Sequence, residues 1–395
     1  MQRSSAIRNL AVVAAIFAVA VGLDFGLPLA IGDSSIRQLI MMALCNVLVA
    51  ISLNIINGMA GQFSIGHAGF IGIGAYGSAI VASNLHEHFG GGDPTFATSF
   101  LVVPLSIATS AIIAAFFGLI VGLPSLRLRG DYLAIVTLGF AEIFRLVIAT
   151  AQIGDAQTIG QACSLVGGEH GIFQPALHCF STMITSLGGQ NGYAGPDNAG
   201  VPLYAGPFWI FGLCAIGCIA AWRIKFSGWG RALRALREDE IAAAAVGVDP
   251  TRYKVTSFVL AATGGGIAGG LMALMRDGTP IVQPESFGFQ TSFDAITMVI
   301  LGGSGSVSGS VIGALLVTFT VKAIELAQGT AAVQSLKMAW PALDLNALRM
   351  MIYGAVLVAM MIWRPEGLLG ERELFGATSI KRKRGTKAIS SKALR

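Results

Sequence analysis

Long apolar runs constrain this chain more than any other feature. They fall near residues 9–31, 36–57, 62–83, 99–122, 131–151, 208–223, 254–275, 290–302, 310–328 and 347–363. Most approach the roughly 20 apolar residues that carry a helix across a bilayer. An unpaired backbone N–H or C=O is costly in hydrocarbon, so runs of this length cross as helices. Charged residues make up only 12% of the 395, against about a quarter in soluble domains. The expected fold class is all-α, a polytopic transmembrane helix bundle of about ten spans. The run at 290–302 is short and predicts a broken or re-entrant helix. Ala18-Val19-Ala20 resembles a cleavage site, but the apolar run continues to Ile31 and favours an uncleaved first span.

Charge placement orients the bundle. Arg3 and Arg8 precede the first run, Arg127 and Arg129 follow the fourth, Arg223 and Lys225 close the sixth, and Lys381-Arg382-Lys383-Arg384 lies near the C-terminus. The alternate loops 84–98 and 152–206 hold no Lys or Arg; Arg37, Arg276 and Lys337 are the exceptions. This asymmetry predicts a multi-pass protein of the cell (inner) membrane with both termini cytoplasmic. The net charge of +5 then reports topology rather than nucleic-acid binding, and the basic tail suits anionic lipid headgroups. We read residues 1–370 as one membrane domain, with an external loop at 152–206 and a cytoplasmic loop at 224–253, and 371–395 as a basic cytoplasmic tail. Cys163 and Cys179 lie in the external loop, where a disulfide and free thiols both remain open.

The cytoplasmic loop carries a pattern of its own. Residues 231–254 read RALRALREDEIAAAAVGVDPTRYK. Arg231, Arg234, Arg237, Glu238 and Glu240 predict a charged face on one long helix, and Ala242 to Ala245, Ala243 among them, predict a nearly bare surface. Gly247 is placed to stop the helix, and Asp249-Pro250 to start the next. A capped amphipathic helix between spans is suited to being gripped by another protein.

Asn54, Asn57, Gly58, Gly61, Gln62, Ser64, Gly66 and His67 form a polar, glycine-rich break between two spans. Irregular backbone at membrane depth persists only where protein buries it or a wet cavity solvates it. Asn54, Gln62, Ser64 and His67 are therefore candidates for lining a pathway; a tight turn capped by Asn57 and Ser64, with His67 as a packing residue, is the plainer alternative. Glu142 and Asp294 join the candidates as ionisable residues within spans, although Glu142 with Arg145, like Lys322 with Glu325, has the spacing of a helical ion pair. Gly265 and Gly269, four apart, predict close helix packing. GMAGQFSIG at 58–66 and GGSGSVSG at 302–309 form a weak internal echo. No arrangement suggests a catalytic site or a metal site, and no phosphate-cradling GxxxxGK[ST] is present.

Five blocks in order carry a resemblance: GMAGQFSIGHAGFIGIGAY (58–76), LRLRGDYLAIVTLGFAEIFRLV (126–147), REDEIAAAAVGVDPTRYKVTSFVLAATGGGIAGGLMA (237–273), PESFGFQTSFDAITMVILGGSGSVSGSVIGALL (284–316) and MMIYGAVLVAMMIWRPEGLLG (350–370). Through them the chain resembles the longer of the two permease subunits of branched-chain amino-acid ABC importers. The resemblance implies a paralogous permease subunit, two cytoplasmic ABC ATPase subunits and an external substrate-binding protein as partners. It implies no cofactor on this chain, ATP being used by the ATPases. It also implies that Glu240, Ala242, Ala243 and Gly247 belong to a coupling helix, with Ile241 shifting the usual Glu-Ala-Ala register by one place. Related permeases carry urea, short amides or other amino acids. An ion-coupled secondary carrier is the alternative of a different class, motivated by the intramembrane charge pairs.

Overall fold

The computed structural model describes residues 19–89, 94–125, 132–150, 187, 189–195, 199–328, 354–355, 358, 362–363, 367–370 and 372–374. The helices are α1 (Val19–Ala30), α2 (Ser34–Asn54), α3 (His67–His88), α4 (Phe96–Ser125), α5 (Tyr132–Thr150), α6 (Pro207–Phe226), α7 (Gly228–Glu238), α8 (Glu240–Ala245), α9 (Pro250–Ala273), α10 (Phe289–Gly302) and α11 (Val307–Gln328). Among the described residues, six are long and apolar enough to cross a membrane: α2 with the turn after it, α3, α4, α5, α6 and α9. The short run expected at 290–302 is α10, whose 14 residues reach only about 21 Å, less than the ~30 Å hydrocarbon core. The expected first span is described only from Val19. Most of the run at 347–363 lies outside the described residues, as do Arg127, Arg129, Cys163, Cys179, Lys337 and the basic cluster at 381–384.

The centre of the bundle is α9, packed on α2, α3 and α4. Beyond it, α2 contacts α6, α10 and α11, while α5 lies against α3. The apolar windows of α2 and α3 are 72% and 78% buried, those of α5 and α6 only 28%, so the first pair forms the interior and the second lies at the periphery with apolar flanks exposed. Small residues set the spacing of the interior. A Cβ on Gly269 would overlap the Ile71 carbonyl, and one on Gly265 would lie 2.9 Å from the His67 ring. Helix approach this close replaces side-chain packing with backbone contact, which suits association in lipid. Hydroxyls then reach across: Ser110 Oγ donates to Gly74 O (2.8 Å) and Ser78 Oγ to Gly270 O (3.3 Å).

At the face away from α7 and α8, the chain returning from the long loop is pinned to the segment after α9. Tyr193 exchanges two backbone hydrogen bonds with Val282 (2.9 Å each), and Ala205 N donates to Leu274 O (2.7 Å). Two of the exceptions to the charge rule sit here. Arg37 donates to both carboxylate oxygens of Asp277 (3.2 and 3.0 Å), and Arg276 Nη1 lies 3.5 Å from Asp24 Oδ1. Each arginine is thus matched by a carboxylate, which offsets part of the cost of removing it from water.

Candidate functional site

The glycine-rich break is a folded junction. After α2 the chain makes one π turn over Ile55–Met59 and then an irregular segment up to His67, so α3 begins five residues after the expected start at 62. Asn54, fully buried, accepts from Gly305 N (2.7 Å) and donates to Ser306 O (3.0 Å). Asn57 clasps the backbone of Ser64 in both directions (3.1 and 3.3 Å). The amides at the start of α3 are satisfied by other helices: Thr137 Oγ1 accepts from Ile65 and Gly66 (3.3 Å each), and Ser292 Oγ from Ala68 (3.2 Å). These bonds satisfy donors that a helix start leaves without partners. His67 shares a 2.8 Å hydrogen bond with Ser52. Since Ser52 lies six residues before Gly58 along the α2 axis, the segment climbs about 9 Å into the bundle. The buried Gln62 keeps a side-chain oxygen with no partner among the described residues.

The two echoing glycine segments meet at this junction. A Cβ on Gly58 would overlap Asn54 Oδ1 and the Gly305 amide. Into the same point comes Arg237 of α7, whose Nη1 donates to Gly58 O at 2.7 Å.

The ridge formed by α7 and α8 departs from expectation in three ways. First, the single helix expected from Arg231 to Gly247 is two. Asp239 breaks it in an extended conformation (φ −155°, ψ 114°) and caps the second piece by accepting from Ile241 N and Ala242 N (2.9 and 3.0 Å). A short carboxylate that can bond nearby amides favours a cap over a helix interior. Second, the arginines do not form an outward charged face. Arg231 donates to Phe226 O (3.2 Å), Arg234 to Lys225 O and Gly230 O (3.4 Å each), and Arg237 to Gly58 O. Arg231 and Arg234 thus satisfy open carbonyls where α6 ends, a favourable place for cations, while Arg237 ties α7 to the α2–α3 junction. Glu238 points to solvent, and Glu240 accepts from Lys254 at 2.6 Å. Third, Ala243 is buried rather than part of a bare surface, and the exposed surface is apolar: Ile241 is 84% exposed and Val246 80%, with Ala242, Ala244, Ala245 and Gly247 beside them. Gly247, at φ 90°, stops α8 in the left-handed region that favours glycine. Asp249 then caps α9 by accepting from Arg252 N (3.3 Å), with Pro250 in the first turn.

Beneath the ridge lies a carboxylate that the sequence did not single out. Glu373, beyond the expected end of the membrane domain at 370, accepts from Lys225 Nζ (2.5 Å), Val307 N (2.8 Å), Ser308 N (2.9 Å) and the Ser308 hydroxyl. Both side chains of the ion pair are 5% exposed. Burial alone would raise the pKa of Glu373, but the hydrogen bonds from Lys225, Ser308 and Val307 outweigh it and hold the group below its ordinary range. One side chain thus caps the start of α11 and anchors the beginning of the tail to the end of α6.

The expected pathway residues do not converge. Asn54, Gln62, Ser64 and His67 share the α2–α3 junction. Glu142 lies on α5, paired with Arg145 one turn on. Asp294 faces a separate cavity between α2, α10 and α11. Spacing placed Arg237 on the charged face but did not predict its bond to Gly58, and no periodicity marks Ile241, Val246 or Glu373; for Ile241 and Val246 the one signal is two large apolar residues at the ends of a helix of six residues.

An interior of glycine-contacting apolar helices, with a capped ridge projecting at one face, is the architecture of a multi-pass membrane protein. The chain belongs to the family described as "Branched-chain amino acid transport system / permease component", whose profile matches residues 35–361. It is similar to the high-affinity branched-chain amino acid transport system permease protein LivM of Salmonella typhimurium, 33% identical over 83% of this chain and 68% of that protein. LivM of Escherichia coli is 32% identical over 82% of this chain and 67% of its own length. The permease protein LivH of the same system in Salmonella typhimurium is 25% identical over 83% of this chain and 92% of its own. No solved structure matches the chain.

Proposed function

We propose that this chain is one of two paralogous permease subunits of an ABC importer that moves leucine, isoleucine and valine into the cytoplasm. The ridge of α7 and α8 faces the cytoplasm and receives an ATPase subunit, which supplies the ATP hydrolysis. A binding protein delivers cargo at the opposite face. The observation that carries this reading is the pair Ile241 and Val246, 84% and 80% exposed on a loop otherwise anchored to the bundle. Large apolar side chains projecting together from a rigid base suit the centre of a protein interface. The buried Ala243, the cap supplied by Asp239 and the stop at Gly247 hold them in place. The pairing of Glu142 with Arg145 leaves less reason to assign an ion-coupled carrier.

The test is ATP-driven leucine uptake by proteoliposomes holding both permeases and both ATPases, with the binding protein added. Ile241→Asp with Val246→Asp should abolish uptake and release the ATPase while the permease still inserts. Normal uptake by that variant would sink the reading, as would labelling of an Ile241→Cys variant from outside intact cells. Urea and short amides serve as competitors; displacement of leucine by either would move the cargo assignment.

A further inference from the structure

A cavity of 410 Å³ lies between α2, α10 and α11, away from the glycine junction. Its volume falls within the ~300–1,000 Å³ of small-molecule sites. It extends along α2 from Ser35 to Val49, about 21 Å of helix, starting at the face opposite the ridge. One wall is the segment that precedes α10, including Thr279, Gln283 and Ser286, the last within a 3-10 turn over Pro284–Phe287. Near the inner end, Asn46 Nδ2 donates to Thr318 Oγ1 (2.9 Å), tying α2 to α11.

The lining combines two chemistries. Leu39, Met42, Met298 and Val321 give it aliphatic surface, while Asp294 of α10 and Lys322 of α11 place opposite charges on the same cavity. Ser292, two residues from Asp294, points the other way and bonds the start of α3, so α10 is the partition between junction and cavity. Ionisable side chains on the apolar helices of a membrane protein that face a cavity point first to a functional site. A carboxylate, an ammonium and an aliphatic wall around one space match a solute that has the same three features.

We propose that this cavity is an intramembrane site for a zwitterionic aliphatic α-amino acid, with Asp294 receiving its ammonium group and Lys322 its carboxylate. The methionines and branched side chains receive the aliphatic portion, and methionine's flexible thioether tolerates several shapes. Both charged residues already engage the protein, so the solute exchanges with their present contacts as it enters. The inference rests on the reading of the chain as an amino-acid permease and adds where the cargo pauses.

The experiment is equilibrium binding of radiolabelled leucine to the assembled transporter in nanodiscs without binding protein, displaced by 4-methylpentanoate, which lacks the amino group, or 3-methylbutylamine, which lacks the carboxylate. Asp294→Asn should weaken leucine and 3-methylbutylamine by about tenfold or more and leave 4-methylpentanoate unchanged. Lys322→Gln should do the reverse for the two analogues. Met42→Trp, which fills the cavity and keeps both charges, should exclude leucine while the complex melts as the parent does. Persistent ATP-driven uptake with unchanged leucine binding in all three variants would overturn the cavity assignment alone, as would uptake by a parent complex that binds no leucine. A parent complex that neither binds nor moves any aliphatic amino acid would sink both readings.

Discussion

The helices α7 and α8 are separated by one residue, yet they face opposite ways. Leu233 and Leu236 of α7 are buried, and its three arginines reach backbone carbonyls of α6, of α7 itself and of the α2–α3 junction. Helix α8 buries Ala243 and projects Ile241, with Val246 just past its end. The first is an anchor and the second is a surface. Alanine-rich composition did not separate them; the break at Asp239 did, because it rotates the second helix independently of the first.

If that division holds, changes on α8 alter partner binding without altering stability, and changes on α7 do both. The largest effect belongs to the surface: Ile241→Asp with Val246→Asp should lower affinity for the ATPase by about a thousandfold, at two interface anchors of about 2 kcal/mol each, read as loss of co-purification with no change in the melting temperature of the permease. A parallel drop in melting would place these residues in the fold and break the comparison.

The next effect lies under the anchor. Glu373→Ala leaves Lys225 buried without its carboxylate and should cost about 3–5 kcal/mol, measured as a fall in melting temperature. The same pair gives a pH dependence. The native pKa of Glu373 is held below its ordinary 4.5. Its contribution to stability is therefore complete above that value and is lost as pH falls through the lowered one. Melting measured from pH 7 to 3 should show a larger acid loss in the parent than in Glu373→Gln; an identical acid profile in both would remove the pair from the account.

Arg237→Ala should cost about 1.5–3 kcal/mol, the range for a hydrogen bond to a charged group, and weaken ATPase binding with it because the ridge loses its tie to Gly58. Unchanged binding in a destabilised protein would show that α8 keeps its position without α7. The smallest effect is Asp239→Ala, about 1 kcal/mol from the lost cap. It also permits α7 and α8 to join into the single helix that the sequence suggests, so ATPase affinity should fall further than stability; equal losses would argue that the break has no positional role.

The local features were legible because their physics is local. Among the described residues, apolar runs located the six helices long enough to cross a membrane to within about five residues at either end, since backbone in hydrocarbon must satisfy itself. Gly265 and Gly269 identified close packing because a missing Cβ is useful wherever helices touch. Gly247 and Asp249-Pro250 marked a stop and a start through backbone preferences that each residue carries with it. Tertiary structure alone decided which polar groups meet. Asn54 serves Gly305 and Ser306, some 250 residues away, and Glu373 serves the first amides of α11. Arg231 and Arg234 fold back onto the end of α6 because it leaves carbonyls open beside them, and Arg237 reaches the carbonyl of Gly58. A helix terminus creates unsatisfied donors or acceptors wherever the chain happens to end it, and folding, rather than spacing along the sequence, chooses the side chain that answers them.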